Sequence, residues 1–175
     1  MPDHAEPHSA TIETNRNCTV EMVNLTSNYC LLNPQVYMDS GFAYSPPQPT
    51  LIPGKTEVFS FTKDDNNATG AVGVVTYDFF NTDARRIESK LALMFSVPYD
   101  YNFYKNWLSV GIFDVSTPCD EKLYDKMYND KDFTNFVRQK ADGSGIKFTS
   151  DQLVLRATMN DDGKAIVKLD IFNKM

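Results

Sequence analysis

Alternation of apolar and polar residues with a period of two is the feature that most constrains this chain. Successive side chains of a strand point to opposite faces, so this period predicts β-strands with one buried face. The alternating or continuously apolar runs are residues 57–62, 70–80, 90–97, 108–112, 153–157 and 165–171. Of these, 70–80 and 90–97 are apolar enough to be buried on both faces. Short strands with little helix predict a mainly β fold, a β-sandwich of two antiparallel sheets flanked by one or two short helices.

Turn and helix signals complete this prediction. Asp162 and Gly163 lie between the last two strand runs and form a typical hairpin signal, which predicts an antiparallel pair. A helix is predicted to begin at Thr117, whose hydroxyl suits an N-cap. Tyr124 and Tyr128 follow within it, and their i, i+4 spacing stacks them on one face. A second short helix, packed on the core, is predicted over residues 132–139.

The charge balance excludes two classes of partner. With 17 Lys and Arg against 23 Asp and Glu, the net charge is −6. Nucleic acids and anionic lipid surfaces both require a basic face, so neither is an expected partner. No apolar run approaches the ~18 residues of a membrane-spanning helix, and the start of the chain lacks the apolar block of a secretory signal. We therefore expect a soluble, cytosolic or non-classically exported protein, with a flexible polar leader at residues 1–15 and one domain at 16–175.

Histidine usage indicates that the protein is not an enzyme. The two histidines, His4 and His8, both lie in the leader. A Ser/His/Asp or Cys/His relay, or a histidine-based zinc or iron site, therefore has no histidine to use within the domain. The three cysteines form no CxxC pair, and no acidic residue lies in a recognised catalytic motif. The sequence predicts no catalytic residue, no cofactor and no metal site.

Residues 96–107, SVPYDYNFYKNW, are the most informative segment of the chain. They contain the only tryptophan and four other aromatic residues, with proline, aspartate and asparagine between them. Such residues favour turns, so a surface loop is predicted rather than a strand. Tyrosine and tryptophan have an apolar body and a polar tip, which suits a membrane interface or a ligand cage. The alternative at this stage is that the rings pack into the core.

This segment resembles the aromatic lipid-binding loop of the actinoporins, pore-forming cytolysins best known from sea anemones. Residues 68–74, ATGAVGV, are similar to a strand of that family, and Tyr124 with Tyr128 is similar to its tyrosine-bearing helix. The resemblance covers roughly residues 16–175. It implies a β-sandwich flanked by helices and peripheral attachment to membranes through the phosphocholine head group of sphingomyelin or phosphatidylcholine. It also implies homo-oligomers on the membrane and cytolytic pore formation.

Carried over residue by residue, the resemblance implies a phosphocholine site made of Ser40, Val72, Ser96, Pro98, Tyr104, Tyr124 and Tyr128. It implies a membrane interface made of Tyr99, Tyr101, Phe103 and Trp107. The chemistry of the side chains agrees. A quaternary ammonium group cannot donate a hydrogen bond, so aromatic ring faces attract it, while Ser and Tyr hydroxyls donate to the phosphate. A zwitterionic head group needs no cationic protein.

The chain also departs from the family pattern. Asn129 stands where a tyrosine is usual, Asp39 where a basic residue is expected, and Phe103 and Leu108 where tryptophans are expected. In the lytic relatives an amphipathic N-terminal segment crosses the membrane, which takes ~20 helical residues. The polar leader before Arg16 does not suit that task. We therefore expect lipid recognition, whereas pore formation would require another membrane-crossing element.

Two other functions remain open at this stage. The first is a lectin-like carbohydrate-binding β-sandwich without lytic activity, because fungal fruit-body lectins share this sandwich and aromatic rings also stack on sugar faces. The second is an intracellular structural protein whose aromatic loop binds another protein.

Overall fold

The computed structural model describes residues 4–175, which form two six-stranded sheets and two helices. The strands are β1 Asn17–Asn24, β2 Tyr29–Ser40, β3 Phe42–Ser45, β4 Thr50–Leu51, β5 Thr56–Thr62, β6 Ala71–Asn81, β7 Arg86–Val97, β8 Trp107–Phe113, β9 Phe136–Lys140, β10 Ile146–Thr149, β11 Leu153–Met159 and β12 Lys164–Asn173. The helices are α1 Ala5–Ala10 and α2 Glu121–Asn129.

The predicted β-sandwich is confirmed, with one difference in strand direction. The first sheet has the order β10-β11-β12-β1-β5-β3 and the second the order β4-β2-β6-β7-β8-β9. Strand β1 runs parallel to β12, whereas the other pairs in the described chain are antiparallel. The predicted hairpin joins β11 to β12, with Met159 opposite Val167. Its turn contains Asp162 and Gly163.

The sandwich has a core between the sheets and a second apolar cluster outside the second sheet. Between the sheets, Phe61 of β5 stacks on Phe95 of β7 with ring centroids 4.5 Å apart. Outside, Val74 and Met94 pack against Met127 of α2. Strands β6 and β7 are therefore covered on both faces where they pass under the helix, as their continuous apolar runs predicted.

Helix α2 begins later than predicted. Asp120, not Thr117, is the N-cap, and its carboxylate accepts a hydrogen bond from the backbone N–H of Leu123 at 3.0 Å. Thr117 is held in the preceding turn, because its backbone N–H donates to the carbonyl of Asp114 and its own carbonyl accepts from Nζ of Lys90. Both side chains are good caps, so local sequence alone did not decide between them.

The second predicted helix, at residues 132–139, is wrong. Phe136–Lys140 instead forms β9, which pairs with β8 and completes the edge of the second sheet. Gly111 allows this pairing, since a Cβ atom there would lie 2.1 Å from the backbone oxygen of Asn135. Pairing with β8 satisfies backbone groups that a short isolated helix would leave to solvent.

The predicted flexible leader also differs from the structure. From Ala5 onward the chain forms α1, which packs on the first sheet and buries Ala5, and Ile12 is buried just after the helix. The backbone N–H of Ala5 donates to Oε1 of Glu21 at 2.9 Å, and Glu6 pairs with Lys168 at 2.7 Å. These residues therefore belong to the folded domain, and residues 1–3 of the predicted leader lie outside the described ones. Within residues 4–175 neither helix has the length and apolar character to cross a membrane.

Candidate functional site

The strand register brings three predicted site residues side by side at one end of the second sheet. Ser40, the last residue of β2, lies opposite Val72 of β6, and Val72 lies opposite Ser96 of β7. Val72 faces the outer apolar cluster, so this row lies on the side of the sheet that α2 covers. Helix α2 adds Tyr124 and Tyr128 beside the row.

An open recess of about 360 Å³ lies at this place. All seven residues assigned to the phosphocholine site line it, namely Ser40, Val72, Ser96, Pro98, Tyr104, Tyr124 and Tyr128. Six further residues complete the lining: Asp39, Ala68, Thr69, Gly70, Tyr99 and Asp100. The recess is therefore formed by the ends of three strands, two loops and one helix face, which are far apart in sequence.

Tyrosine rings of unequal exposure form much of the wall. Tyr124 is only 7% exposed and stacks on Tyr128, with ring centroids 5.7 Å apart and an interplanar angle of 20°. This confirms the predicted stacking within α2. The ring of Tyr37 of β2 lies beside that of Tyr124, with ring centroids 6.4 Å apart. Tyr104, by contrast, is 57% exposed. The recess thus has a buried aromatic base and an exposed aromatic edge available to a ligand.

The buried phenols stay neutral at physiological pH. Burial is the main cause that raises the pKa of Tyr124, and the negative charge of Asp39 adds to it. Burial also raises the pKa of Tyr128, an effect that the positive charge of Arg138 opposes. Both phenols therefore keep their protons well past pH 7, and their O–H groups remain hydrogen-bond donors.

Three further hydroxyl-bearing residues line the recess. Ser40 and Ser96 come from the strand ends, and Thr69 comes from the segment before β6. Oγ1 of Thr69 is buried and has no hydrogen-bond partner within the described chain. Because this oxygen has almost no accessible surface, a ligand in the open recess does not reach it in this structure.

Gly70 fixes the close approach of two walls. A Cβ atom at this position would lie 2.1 Å from the backbone oxygen of Val97. Any larger residue would therefore push the 68–70 segment away from the end of β7. The motif ATGAVGV contains Thr69 and Gly70, so it carried the signal for these two residues, although only Val72 was predicted from it.

Arg16 holds the first half of the aromatic loop at residues 98–106. Its Nε donates to the carbonyl of Pro98 at 2.9 Å, and its Nη2 donates to the carbonyl of Tyr99 at 2.7 Å. The same guanidinium lies over the ring of Tyr101, 4.3 Å from its centroid. Because Arg16 precedes β1, the segment after α1 and the wall of the recess are directly connected.

The four predicted membrane-interface residues differ in exposure. Phe103 is 79% exposed and Tyr99 is also exposed. Tyr101 is half-buried, and its hydroxyl donates to Oδ1 of Asn106 at 2.7 Å. Trp107 is the first residue of β8 and packs partly against the outer apolar cluster. The structure therefore presents Phe103 and Tyr99 outward, whereas Tyr101 and Trp107 are engaged with the protein.

Two hollows elsewhere are larger but chemically different. One of about 470 Å³ lies beside the start of α2, and one of about 430 Å³ lies beyond Asn106, between Lys105 and Lys140. Each contains a single aromatic ring, whereas the recess contains four tyrosines. Size alone therefore does not select the candidate site, and the convergence of rings and hydroxyls does.

The sequence of the domain matches a known protein family. Residues 18–173 match the family model described as sea anemone cytotoxic protein. The chain belongs to this family. The match covers nearly all the described domain, so the resemblance to actinoporins drawn from the aromatic loop is confirmed at the level of family membership.

Individual curated relatives match this chain over part of their length. DELTA-thalatoxin-Avl1b of Actineria villosa is 37% identical over 106 residues, which are 59% of this chain and 42% of the toxin. Bryoporin of Physcomitrium patens is 32% identical over 114 residues, 65% of this chain and 61% of bryoporin. The chain spans about half the length of the curated relatives it matches. Among solved structures, the lipid binding protein Nakanori has the same fold, with a TM-score of 0.70 at 10% identity over 98% of this chain and 79% of Nakanori.

Proposed function

We propose that this protein binds membranes by recognising the phosphocholine head group of sphingomyelin or phosphatidylcholine in the recess. One observation carries the proposal: four tyrosine rings and a set of hydroxyl groups converge on one open hollow beside a largely exposed phenylalanine. The same end of the molecule thus offers a cage for a head group and an apolar side chain for the lipid beneath it.

The chemistry of the two halves of phosphocholine fits the lining. The trimethylammonium group has a diffuse positive charge and no hydrogen-bond donor, so it is attracted to the faces of Tyr104 and Tyr128. The phosphate accepts hydrogen bonds, and the hydroxyls of Ser40 and Ser96, both of which line the recess, can donate them.

The recess and the loop contribute different amounts of binding free energy. Two or three ring contacts of ~0.5–2 kcal/mol each give only millimolar-scale affinity for a free head group. Burying about 100 Å² each of Phe103 and Tyr104 in the interface adds about 5 kcal/mol before ordering costs, at ~25 cal/mol per Å². Tight attachment thus needs a membrane surface, and self-association on that surface would multiply it.

The relatives support a membrane role of this kind. The family is described as cytotoxic, and Nakanori, which shares the fold, is described as a lipid binding protein. We therefore propose a membrane-binding protein rather than an enzyme, with self-association on membranes as part of the proposal. Membrane leakage is measured separately from binding in the test below.

Vesicle co-sedimentation tests the proposal. Pelleting is measured with vesicles of sphingomyelin, phosphatidylcholine or phosphatidylserine, and dye leakage is followed in parallel. We expect pelleting with the two choline lipids and none with phosphatidylserine alone. Tyr128→Ala should weaken pelleting at least tenfold, the equivalent of one cation–π contact of ~1.4 kcal/mol or more.

The matched control is Tyr44→Ala. Tyr44 lies on edge strand β3, is 50% exposed and is outside the recess, so its loss should leave pelleting unchanged. Equal pelleting by wild type and Tyr128→Ala would contradict the site. Inhibition of pelleting by galactosides instead of phosphocholine would replace the lipid proposal with the lectin one. Absence of pelleting with every vesicle would reject the proposed membrane binding.

A further inference from the structure

Both charged side chains that line the recess are acidic. They are Asp39, near the end of β2, and Asp100, in the aromatic loop, and the lining includes no lysine or arginine. The carboxylate of Asp100 accepts the backbone N–H of Asn102 at 2.9 Å. In the part of the chain that the structure describes, neither carboxylate forms an ion pair. The recess therefore has a net negative lining, and its two carboxylates have no ion-pair partner among the described residues.

A β-bulge explains how Asp39 reaches the recess. In the ladder between β2 and β6, Met38 lies opposite Gly73 and Ser40 lies opposite Val72, so Asp39 is an extra residue without a partner. Consecutive side chains of a regular strand point to opposite faces. Asp39 and Ser40 are consecutive, yet both line the recess. The bulge thus places Asp39 and Ser40 together at the recess, a common use of bulges beside binding sites.

The charge of Asp39 also reaches the aromatic base. Burial raises the pKa of Tyr124 most, and the charge of Asp39 adds to it. Burial also raises the pKa of Tyr37 most, and the charges of Glu121 and then Asp39 add to it. Glu121 and Asp125 on α2 add negative charge near Tyr37, and Arg138, which is bonded to the carbonyl of Met127, is the opposing positive charge near Tyr128. Arg16 and Lys63 lie over the ring of Tyr99 and add positive charge at that wall, so the recess favours a cation most beside Asp39 and Tyr124.

We propose that Asp39 is the specificity-determining residue of the recess and makes it select a quaternary ammonium group in preference to the phosphate that accompanies it. This inference rests on the proposed function and deepens it. A phosphate held near an unneutralised carboxylate is repelled, and hydroxyl donors offset only part of that repulsion. A trimethylammonium group gains from the same carboxylate and from the rings. The recess should therefore bind a phosphate-free quaternary ammonium ion at least as tightly as phosphocholine.

Competition against vesicle pelleting measures this selectivity. Wild-type protein is pelleted with phosphatidylcholine vesicles in the presence of increasing tetramethylammonium chloride or phosphocholine, with ionic strength held constant and low by sodium chloride. The ratio of the two half-inhibitory concentrations reports the charge preference and is independent of how strongly the loop inserts. We expect wild type to be displaced by tetramethylammonium at concentrations no higher than those of phosphocholine.

The variants change this ratio in a defined direction. Asp39→Asn should shift it about fivefold towards phosphocholine, the effect of one unit charge ~4 Å away in water. Asp39→Glu keeps the charge and should keep the ratio within about twofold. Asp151→Asn is the matched control, since this exposed residue lies in a hollow with Tyr29 and Ser89, outside the recess.

The outcomes separate this inference from the proposed function. An equal ratio for wild type and Asp39→Asn, with both proteins still pelleting, overturns the role of Asp39 and leaves the membrane proposal standing. A shift of the same size in Asp151→Asn also overturns it, because net charge would then be the cause. Failure of wild type to pellet with choline lipids overturns the proposed function and this inference together.

Discussion

The aromatic loop consists of two halves with opposite surroundings. Its first half, Pro98 to Tyr101, is bound by the guanidinium of Arg16 through two backbone carbonyls and one ring. Its second half, Asn102 to Lys105, is a turn in which the backbone N–H groups of Phe103 and Tyr104 both donate to the carbonyl of Asp100. We call these the fixed half and the tip. Tyr101 of the fixed half packs against protein and Tyr99 is partly exposed beside Arg16, whereas Phe103 and Tyr104 of the tip are the more exposed rings.

This difference shows how a loop can both bind and remain ordered. Immobilising exposed aromatic side chains in a membrane costs conformational free energy. This cost is smaller when their backbone is already held. The fixed half supplies that support, since Arg16 anchors it and Tyr101 bonds Asn106. The tip then presents Phe103 and Tyr104 on a preformed turn. One crowded stretch of aromatic residues therefore serves two physical purposes.

Removal of the Phe103 ring at the tip should give the largest loss of membrane binding. Phe103→Ala is expected to weaken pelleting on phosphatidylcholine vesicles by about 2.5 kcal/mol, or some sixtyfold, if about 100 Å² of Phe103 enters the interface at ~25 cal/mol per Å². The melting temperature should not change, because the side chain packs on little in solution. A fall in melting temperature with unchanged pelleting would show that the tip is structural and would reverse the comparison.

Removal of Arg16 should give a smaller effect of the opposite kind. Arg16→Ala leaves the carbonyls of Pro98 and Tyr99 without their donor and is expected to lower the free energy of unfolding by about 1–2 kcal/mol. Pelleting should weaken as well, although Phe103 is intact, because the wall of the recess is no longer held. Thermal unfolding and co-sedimentation of the same samples check both effects.

Arg16→Lys is the matched variant for this position. Lysine keeps the positive charge over Tyr101 but cannot bond two carbonyls with one planar fork. The free energy of unfolding of Arg16→Lys should therefore lie between those of wild type and Arg16→Ala. Equal stability of all three proteins would mean that the fixed half does not depend on Arg16.

Local sequence predicted the strands well because their periodicity and their burial have the same physical origin. Strands β5, β6, β7, β8, β11 and β12 all lie where alternating or continuous apolar runs predicted them. Residues 132–139 failed because the spacing of Phe133 and Phe136 fits a helix, and only the free edge of β8 makes it a strand. Helix α1 was missed because it buries small residues such as Ala5, which give almost no apolar signal.

The recess could be predicted only in part. Aromatic crowding pointed to the loop, and the family resemblance supplied Ser40, Val72 and Ser96 from three distant segments. No periodicity reveals that these three residues are neighbours, because that depends on the register between β2, β6 and β7. Asp39 was visible as an unusual residue, but its position in the recess follows from a bulge, which arises only when two strands pair.

Alkaline titration of Tyr101 gives the smallest and most specific test of the fixed half. Burial is the main cause that raises the pKa of Tyr101, while the guanidinium of Arg16 opposes it. A phenol whose pKa is raised by folding stabilises the native state at lower pH, and this contribution is lost as pH rises from the ordinary value of about 10 through the folded value. The difference in absorbance at 295 nm between wild type and Tyr101→Phe isolates this one ring. Its midpoint should lie above pH 10, whereas a midpoint at or below 10 would mean that the first half of the loop is as open to water as the tip.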